Sequence, residues 1–399
     1  MTRVPLIISV DDHVVEPPDL WKRWLPARYR DRGPHVVKGG FQQVPGGDGH
    51  NFAMVDGGPQ VDWWVYEEMS KPLPMPFHWA GYSREELQYR PINFADMRPG
   101  LYNPKERLAD MDLNHTERSL CFPNYLPRFC GQSFSEASDR DLGLACIYAY
   151  NDWMIDEWCG DSGGRLLPIV MIPLWDPKLA AAEVRRNAAR GCRAVTFSEL
   201  PANLGLPSIH NRDRYWDPLF AACDETGTVV CMHIGSGSKM SISSEDAPQG
   251  VRMALTSQNA MACLADWLLS GVLLRFPHLK IALSECQIGW IPYLLERIDN
   301  VFLRNREFAE LSPDFDVLPS SQVPGRVYGC FFEDDFGLRV RDDVGLSQIT
   351  FEVDYPHQDT NWPNSLAYLE KITVDLTDEE LFKIVRGNAI EMLGLPLSL

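Results

Sequence analysis

Six ionisable side chains stand at the ends of apolar runs in this chain: Asp11 and His13, Glu199, His233, Glu285 and Asp354. Imidazole nitrogens and carboxylate oxygens are donors that hold first-row metal ions. Asp11 and His13 are two positions apart, so on a strand they share one face and Asp12 takes the other. Taken singly, each residue also has a plain reading. An Asp at a strand end caps a helix or makes a turn, and a lone His closing an apolar run is a satisfied core residue. Turn chemistry does not explain ionisable groups at the ends of strands one, four, five, six and eight together. Two imidazoles with four carboxylates form an oxygen-rich set that suits a pair of iron ions better than a pair of zinc ions. Four carboxylates also neutralise two divalent ions, which lowers the cost of a buried site. The expected centre is a pair of iron ions, and the alternative is one zinc or manganese ion on His13, His233 and Asp354.

Further residues near these runs carry double readings. His357, three past Asp354, is a seventh ligand, a proton donor or a structural loop residue, and it joins Glu285 as a candidate catalytic group. Asp359 orients His357 or caps the next turn. Glu16 accepts from a ligand imidazole or caps the chain before Pro17-Pro18. The GSGS run at 235–238 cradles an anion or makes a tight loop. Trp63, Trp64, Phe77 and Trp79 line an apolar pocket or pack a core. No G-x-S-x-G, G-x-G-x-x-G or P-loop pattern is present, which argues against serine-triad chemistry and phosphate cradling.

These residues need elements to position them. Eight strand-like runs recur at 6–12, 117–123, 166–174, 194–199, 228–235, 280–285, 328–333 and 349–356. Amphipathic stretches predict helices at 134–159, 178–190, 213–226, 252–275, 290–309 and 378–393. Short continuous apolar strands alternating with helices predict an α/β fold, a (β/α)8 TIM barrel, whose active sites form at the C-terminal mouth. One domain is expected over 1–399, with 14–116 as a long irregular insertion between the first two strands. Its runs QVPGGDGH, DWWVYEE and KPLPMPFHWAGY fit no regular element, and its aromatics argue for an ordered cap over the mouth.

The 399 residues are 45% hydrophobic and carry a formal net charge of −18, which disfavours nucleic acid and anionic membranes. No apolar run reaches the roughly 20 residues of a membrane span, and the first residues lack a signal-peptide layout, so a cytoplasmic protein is expected. The ten Cys are scattered without C-x-x-C and read as reduced core residues. A homo-oligomer is expected for a soluble barrel enzyme.

The segments DDHVVEPPDLW, VVCMHIGS, RFPHLKIALSECQIGWIPYLLERID, FEVDYPHQDTNWPNS and RGNAIEMLGL resemble the amidohydrolase superfamily, near its aminocarboxymuconate-semialdehyde decarboxylase branch. The resemblance covers most of the chain outside the insertion. His13, His233 and Asp354 match metal-ligand positions of that family, Asp11 replaces the first His of H-x-H, and Glu285 replaces the His on strand six. Glu199 stands where dinuclear members carry a bridging carboxylate. With these departures the chain looks like the TIM-barrel nonheme di-iron monooxygenases of bacterial platensimycin/platencin-type diterpenoid biosynthesis. That resemblance implies O2-dependent hydroxylation of an apolar acyl-type substrate linked to coenzyme A, with electrons from an external donor. The wider superfamily implies the alternative, a metal-dependent hydrolase or nonoxidative decarboxylase with Glu285 as acid–base group. A third reading is a barrel kept for binding or assembly.

Overall fold

The computed structural model describes residues 2–44, 51–311 and 315–396; residues 45–50 of the QVPGGDGH run lie outside the described residues. Strand β1 (Ile7–Val14) opens a barrel. The insertion follows with β2 (His35–Val44), β3 (Asn51–Val55), β4 (Gln60–Tyr66), β5 (Met69–Pro74) and β6 (Pro91–Ile92). The barrel resumes with β7 (Thr116–Pro123), β8 (Leu166–Val170), β9 (Ala194–Phe197), β10 (Val229–His233), β11 (Ile281–Ser284), β12 (Val327–Phe331) and β13 (Ile349–Phe351). These eight strands pair in parallel in the order β1-β7-β8-β9-β10-β11-β12-β13. Between β13 and β1 the seam closes by single hydrogen bonds, from Asp354 N–H to Asp11 O (2.9 Å) and from His13 N–H to Tyr355 O (2.7 Å). The architecture is the expected α/β, (β/α)8 barrel.

Strands β9 to β13 are buried at every position, which is why their sequences read as unbroken apolar runs. Inside the barrel, Ile8, Val10, Phe122, Ile169, Cys231 and Cys330 pack together, and Ile390 and Leu393 of the last helix close this cluster. Ile8 and Val10 face this inner core, and so do Asp11 and His13. The change of parity coincides with a register shift between Ser9 and Asp12.

The insertion differs from its expected irregularity. It forms a five-stranded antiparallel sheet, ordered β3-β2-β4-β5-β6. DWWVYEE lies mostly in β4 and KPLPMPFH in β5 and the short helical turn Met75–His78. Four consecutive positions of β4, Val61 to Trp64, are buried, so the strand lacks the alternation that announces a half-exposed sheet. The stretch 252–275, expected as one helix, is divided into Gln249–Ala254, Ser257–Leu269 and Val272–Arg275, with Gly271 at φ +73° before the last. All ten Cys are free thiols. No helix among the described residues is long and apolar enough to cross a membrane.

Two buried charged residues hold the end of β1 from outside the barrel. Arg107, on the helix Pro104–Leu113, donates Nη2–H to His13 O (2.6 Å) and Nε–H to Gly100 O (2.8 Å), with its guanidinium over the Tyr355 ring. Asp12 faces that side, accepting from Tyr355 N–H (3.0 Å) and the Ser119 hydroxyl. Burial pushes the Asp12 carboxyl up and the Arg107 charge pulls it down, to about 6. Glu16 Oε1 accepts from Asn124 N–H (2.8 Å), joining the segment after β1 to the end of β7.

Arg107→Met is expected to destabilise the fold by about 3–5 kcal/mol, because Asp12 loses its buried countercharge; urea unfolding at neutral pH measures this, and an unchanged midpoint refutes the role of Arg107 in holding the end of β1. Burial raises the Glu16 carboxyl from its ordinary 4.5 to about 7. The native state therefore holds a proton that the unfolded chain has lost, and stability falls as pH rises from about 4.5 through 7. Glu16→Gln keeps the acceptor for Asn124 and removes that loss, so the variant is expected to gain on the order of 3 kcal/mol over the wild type at pH 8, shrinking towards zero near pH 4.5. Unfolding curves across that range check it.

Candidate metal centre

The ends of four barrel strands converge on one buried point. His13 Nε2 and His233 Nε2 lie 3.1 Å apart. On the far side of each ring, Nδ1 faces a backbone carbonyl, Pro123 O at 3.3 Å for His13 and Ile234 O at 2.6 Å for His233. A carbonyl only accepts, so each Nδ1 carries the proton and each Nε2 presents its lone pair to the other. Asp354 Oδ1 sits 3.4 Å from His13 Nε2 and 3.0 Å from His357 Nδ1. Donor atoms of His13, His233, Asp354 and His357 all fall within 4.8 Å of one another, and all four residues are buried. Asp11 reaches both imidazoles at 3.6 Å, and Glu285 Oε2 is 3.4 Å from His233 Nε2.

This arrangement fits a cation. Both carboxylate oxygens of Asp11 and of Asp354 are buried and accept no hydrogen bond, a state that costs free energy unless something positive lies among them. Facing imidazole lone pairs repel unless a cation or proton sits between. Burial holds the His13, His233 and His357 imidazoles far below their usual range, the latter two at about 3, so all three are neutral at pH 7. Burial, then neighbouring carboxylates, pushes Asp11, Glu285 and Asp354 well above the carboxylate range.

The backbone aims two of these groups. Asp354 and Glu285 lie just past β13 and β11 in left-handed conformations, φ +55° and +56°. Such positions cost about 1–3 kcal/mol each for non-glycine residues and cluster at functional sites. Glu285 N–H donates to Glu352 Oε2 at 3.0 Å, and the Cys330 thiol donates to the same oxygen at 2.6 Å. Burial raises the Glu352 carboxyl to about 7, and it forms a second grouping with Asp11 and Cys330.

Glu352 was absent from the sequence-based set. Its position two before Asp354 repeats the spacing of Asp11 and His13 and was the available signal. Phe129 and Asn124 were also absent. The Phe129 ring stacks on His233 with centroids 4.0 Å apart, and Asn124 Oδ1 lies 3.4 Å from His357 Nε2. Neither has a motif that marks it.

Glu199 is not among the four residues whose donor atoms lie within 4.8 Å of one another. Its Oε1 accepts from Gly235 N–H (2.9 Å), Gly237 N–H (3.4 Å) and Asn259 Nδ2–H (2.9 Å), and its own N–H donates to Ser236 Oγ. The two glycine N–H groups of the GSGS loop do meet a carboxyl group, and it is this buried side chain. Burial raises the carboxyl to about 7 against those donors. Glu16 serves Asn124 N–H rather than an imidazole. The His357 ring nitrogens face Asp354 and Asn124 rather than Asp359.

A cavity of about 570 Å³ opens above the cluster, with Glu285, His357 and Asp359 among its lining residues. Phe77, Phe129, Met240 and Phe332 supply apolar wall. Of the insertion aromatics, Phe77 reaches this cavity, Trp63 and Trp64 are core, and Trp79 borders a separate groove with Tyr82 and Trp362.

The amidohydrolase family model matches residues 61–395. No curated protein matches the chain. Among solved structures, an amidohydrolase from Mycobacterium avium subsp. paratuberculosis K-10 is similar at 22% identity and TM-score 0.73, covering 98% of this chain and 99% of that one. The 5-carboxyvanillate decarboxylase of Sphingomonas paucimobilis is similar at 21% identity and TM-score 0.58, over 74% and 84% of the two chains. A dihydroxybenzoic acid decarboxylase from Polaromonas sp. JS666, with bound manganese and the inhibitor 2-nitroresorcinol, is similar at 15% identity and TM-score 0.61, over 99% and 98%.

These findings correct the expectation of an O2-dependent di-iron monooxygenase. The similar structures carry amidohydrolase and decarboxylase names, and the metal in the named complex is manganese, so they back the alternative activity and leave the two-iron cofactor without support. One oxygen of Glu199, the expected bridge, accepts from Gly235, Gly237 and Asn259. A barrel whose buried donors fit a cation, and whose sequence matches the family model over most of its length, belongs to the amidohydrolase family.

Proposed function

We propose that this protein is a divalent-metal-dependent, nonoxidative decarboxylase of a largely apolar carboxylic acid. The observation that carries the reading is the facing pair of His13 and His233 lone pairs beside the unpartnered oxygens of Asp354, under a cavity that Glu285 and His357 line. His13, His233, Asp354 and His357 would hold the ion, with Asp11 beside them. The oxygen-rich surroundings favour a hard ion such as manganese, the metal named with the Polaromonas decarboxylase. When bound, the ion supplies Lewis-acid stabilisation of negative charge on the substrate's oxygen atoms.

The chain's own residues do the rest. Phe77 and Phe129 exclude water and orient the acid, with its carboxyl group towards the cluster. Decarboxylation breaks the bond between the carboxyl carbon and its neighbour. CO2 leaves, and the electron pair stays on the neighbouring carbon, which must then receive a proton. Burial and the surrounding carboxylates raise the Glu285 carboxyl, and an acid in the cavity wall suits that delivery. Hydrolysis would instead call for a carboxylate poised to take a proton from water. A solvent proton then restores Glu285.

Elemental analysis of protein produced with iron, zinc and manganese all present is expected to find about one divalent ion per chain. CO2 release from a panel of hydroxylated aromatic acids should proceed equally in air and under nitrogen, stop after chelation and return with Mn2+. Substrate-dependent O2 consumption, or no CO2 release from any acid of the panel, overturns the proposal. Glu285→Gln is expected to lower kcat by about 10²–10⁴-fold with metal content unchanged, the range for losing a positioned acid; metal loss without a separate kcat effect would make it a ligand instead.

A further inference from the structure

We infer that Asn124 is a positioning residue that sets the tautomer of His357 and so selects which of its ring nitrogens meets the metal. The inference rests on the reading of His357 as part of the metal cluster. Asn124 follows the last residue of β7 and is buried. Its Nδ2 donates to Phe77 O at 3.2 Å. A carbonyl cannot donate, so the amide NH2 must face Phe77, and the amide oxygen then faces His357 Nε2, at 3.4 Å. An oxygen there calls for Nε2–H. That leaves the lone pair on Nδ1, the atom 3.0 Å from Asp354 Oδ1 and inside the cluster. His13 and His233 present Nε2 because carbonyls hold their Nδ1 protons, whereas His357 presents Nδ1 because an amide holds its Nε2 proton.

Asn124 is itself held at two further points. Its backbone N–H goes to Glu16 Oε1, from the segment after β1. Its side-chain NH2 goes to the insertion, through a residue whose ring lines the cavity and lies edge-on to His357 at 5.5 Å. The same insertion segment is pinned to the loop of His357, because the N–H groups of Trp79 and Ala80 both donate to Pro356 O. Asn124 therefore joins the insertion wall to a member of the metal cluster, and anything that displaces Phe77 acts on the hydrogen bond that orients His357.

Two measurements test this. In chelator-treated protein labelled with 15N-histidine, long-range 1H–15N spectra should show His357, identified by the signal lost in His357→Gln, protonated on Nε2. In Asn124→Leu that signal should shift to the other tautomer or a mixture, while Asn124→Asp, which keeps the acceptor, retains Nε2–H. In Co2+ titrations followed by absorption, Asn124→Leu should weaken binding at least tenfold and alter the visible bands. Asn124→Asp should stay within threefold of the wild type with its bands unchanged. Both variants lose the bond to Phe77, so a merely structural role would make them alike. Nδ1–H in the wild type, an unaltered Asn124→Leu protein, or an Asp variant that behaves like the Leu variant overturns the inference. If wild-type protein takes up no Co2+, the metal reading fails, and the tautomer of His357 still decides the role of Asn124.

Discussion

The organisation of this molecule turns on a buried point where lone pairs face lone pairs. His13 and His233 meet through unprotonated nitrogens 3.1 Å apart, beside Asp354 oxygens that accept no hydrogen bond. In a desolvated interior such a meeting is repulsive, and it persists only where the surrounding structure holds each group in place or a cation joins them. Here the holding parts can be named. Carbonyls of Pro123 and Ile234 fix two rings, Arg107 grips the His13 carbonyl from behind, and the left-handed backbone at Asp354 turns its side chain inward.

The same logic explains what encloses the site. The GSGS loop spends its two glycine N–H groups on Glu199 and its serine N–H groups on backbone carbonyls, so the residues after β10 are tied to the end of β9 instead of being left to bind an external anion. Small residues are required there because the backbone must close around a carboxylate. On the other side, the helical turn after β5 contributes Phe77 to the cavity wall, and the residues that follow it are pinned to the loop after β13. The insertion thus supplies part of the cavity wall and ties it to the loop of His357.

The carboxylates at Asp11 and Glu285 give this site its chemical character. Each stands where the family pattern described above has an imidazole; Asp11 is buried and Glu285 half-buried, and both lie beside further acids, Glu352 and Asp354 among them. Carboxylates crowded in low dielectric hold protons that isolated ones would lose. A site built this way crowds carboxyl oxygens around two facing imidazoles.

The barrel was legible in the sequence because a strand buried on both faces must be a short unbroken apolar run, and eight such runs between helices leave few other folds. Asp11, His13, His233, Glu285 and Asp354 were legible for a related reason: in a barrel, a polar residue that ends an apolar strand lies at the mouth. The insertion sheet was not, because burial of consecutive positions in β4 erases the alternation that marks a strand. Nor was the division of labour among the acids. Glu199 and Glu285 are alike in type and in placement at a strand end, and only the packed chain decides that three N–H donors claim one while the other opens on the cavity. Asn124, Phe129 and Glu352 acquire their roles from neighbours far away in sequence. Residue type and strand position were written along the chain; which donor reaches which acceptor was decided only when the strand ends met, because hydrogen bonds and desolvation depend on distances of a few ångströms that no linear spacing records.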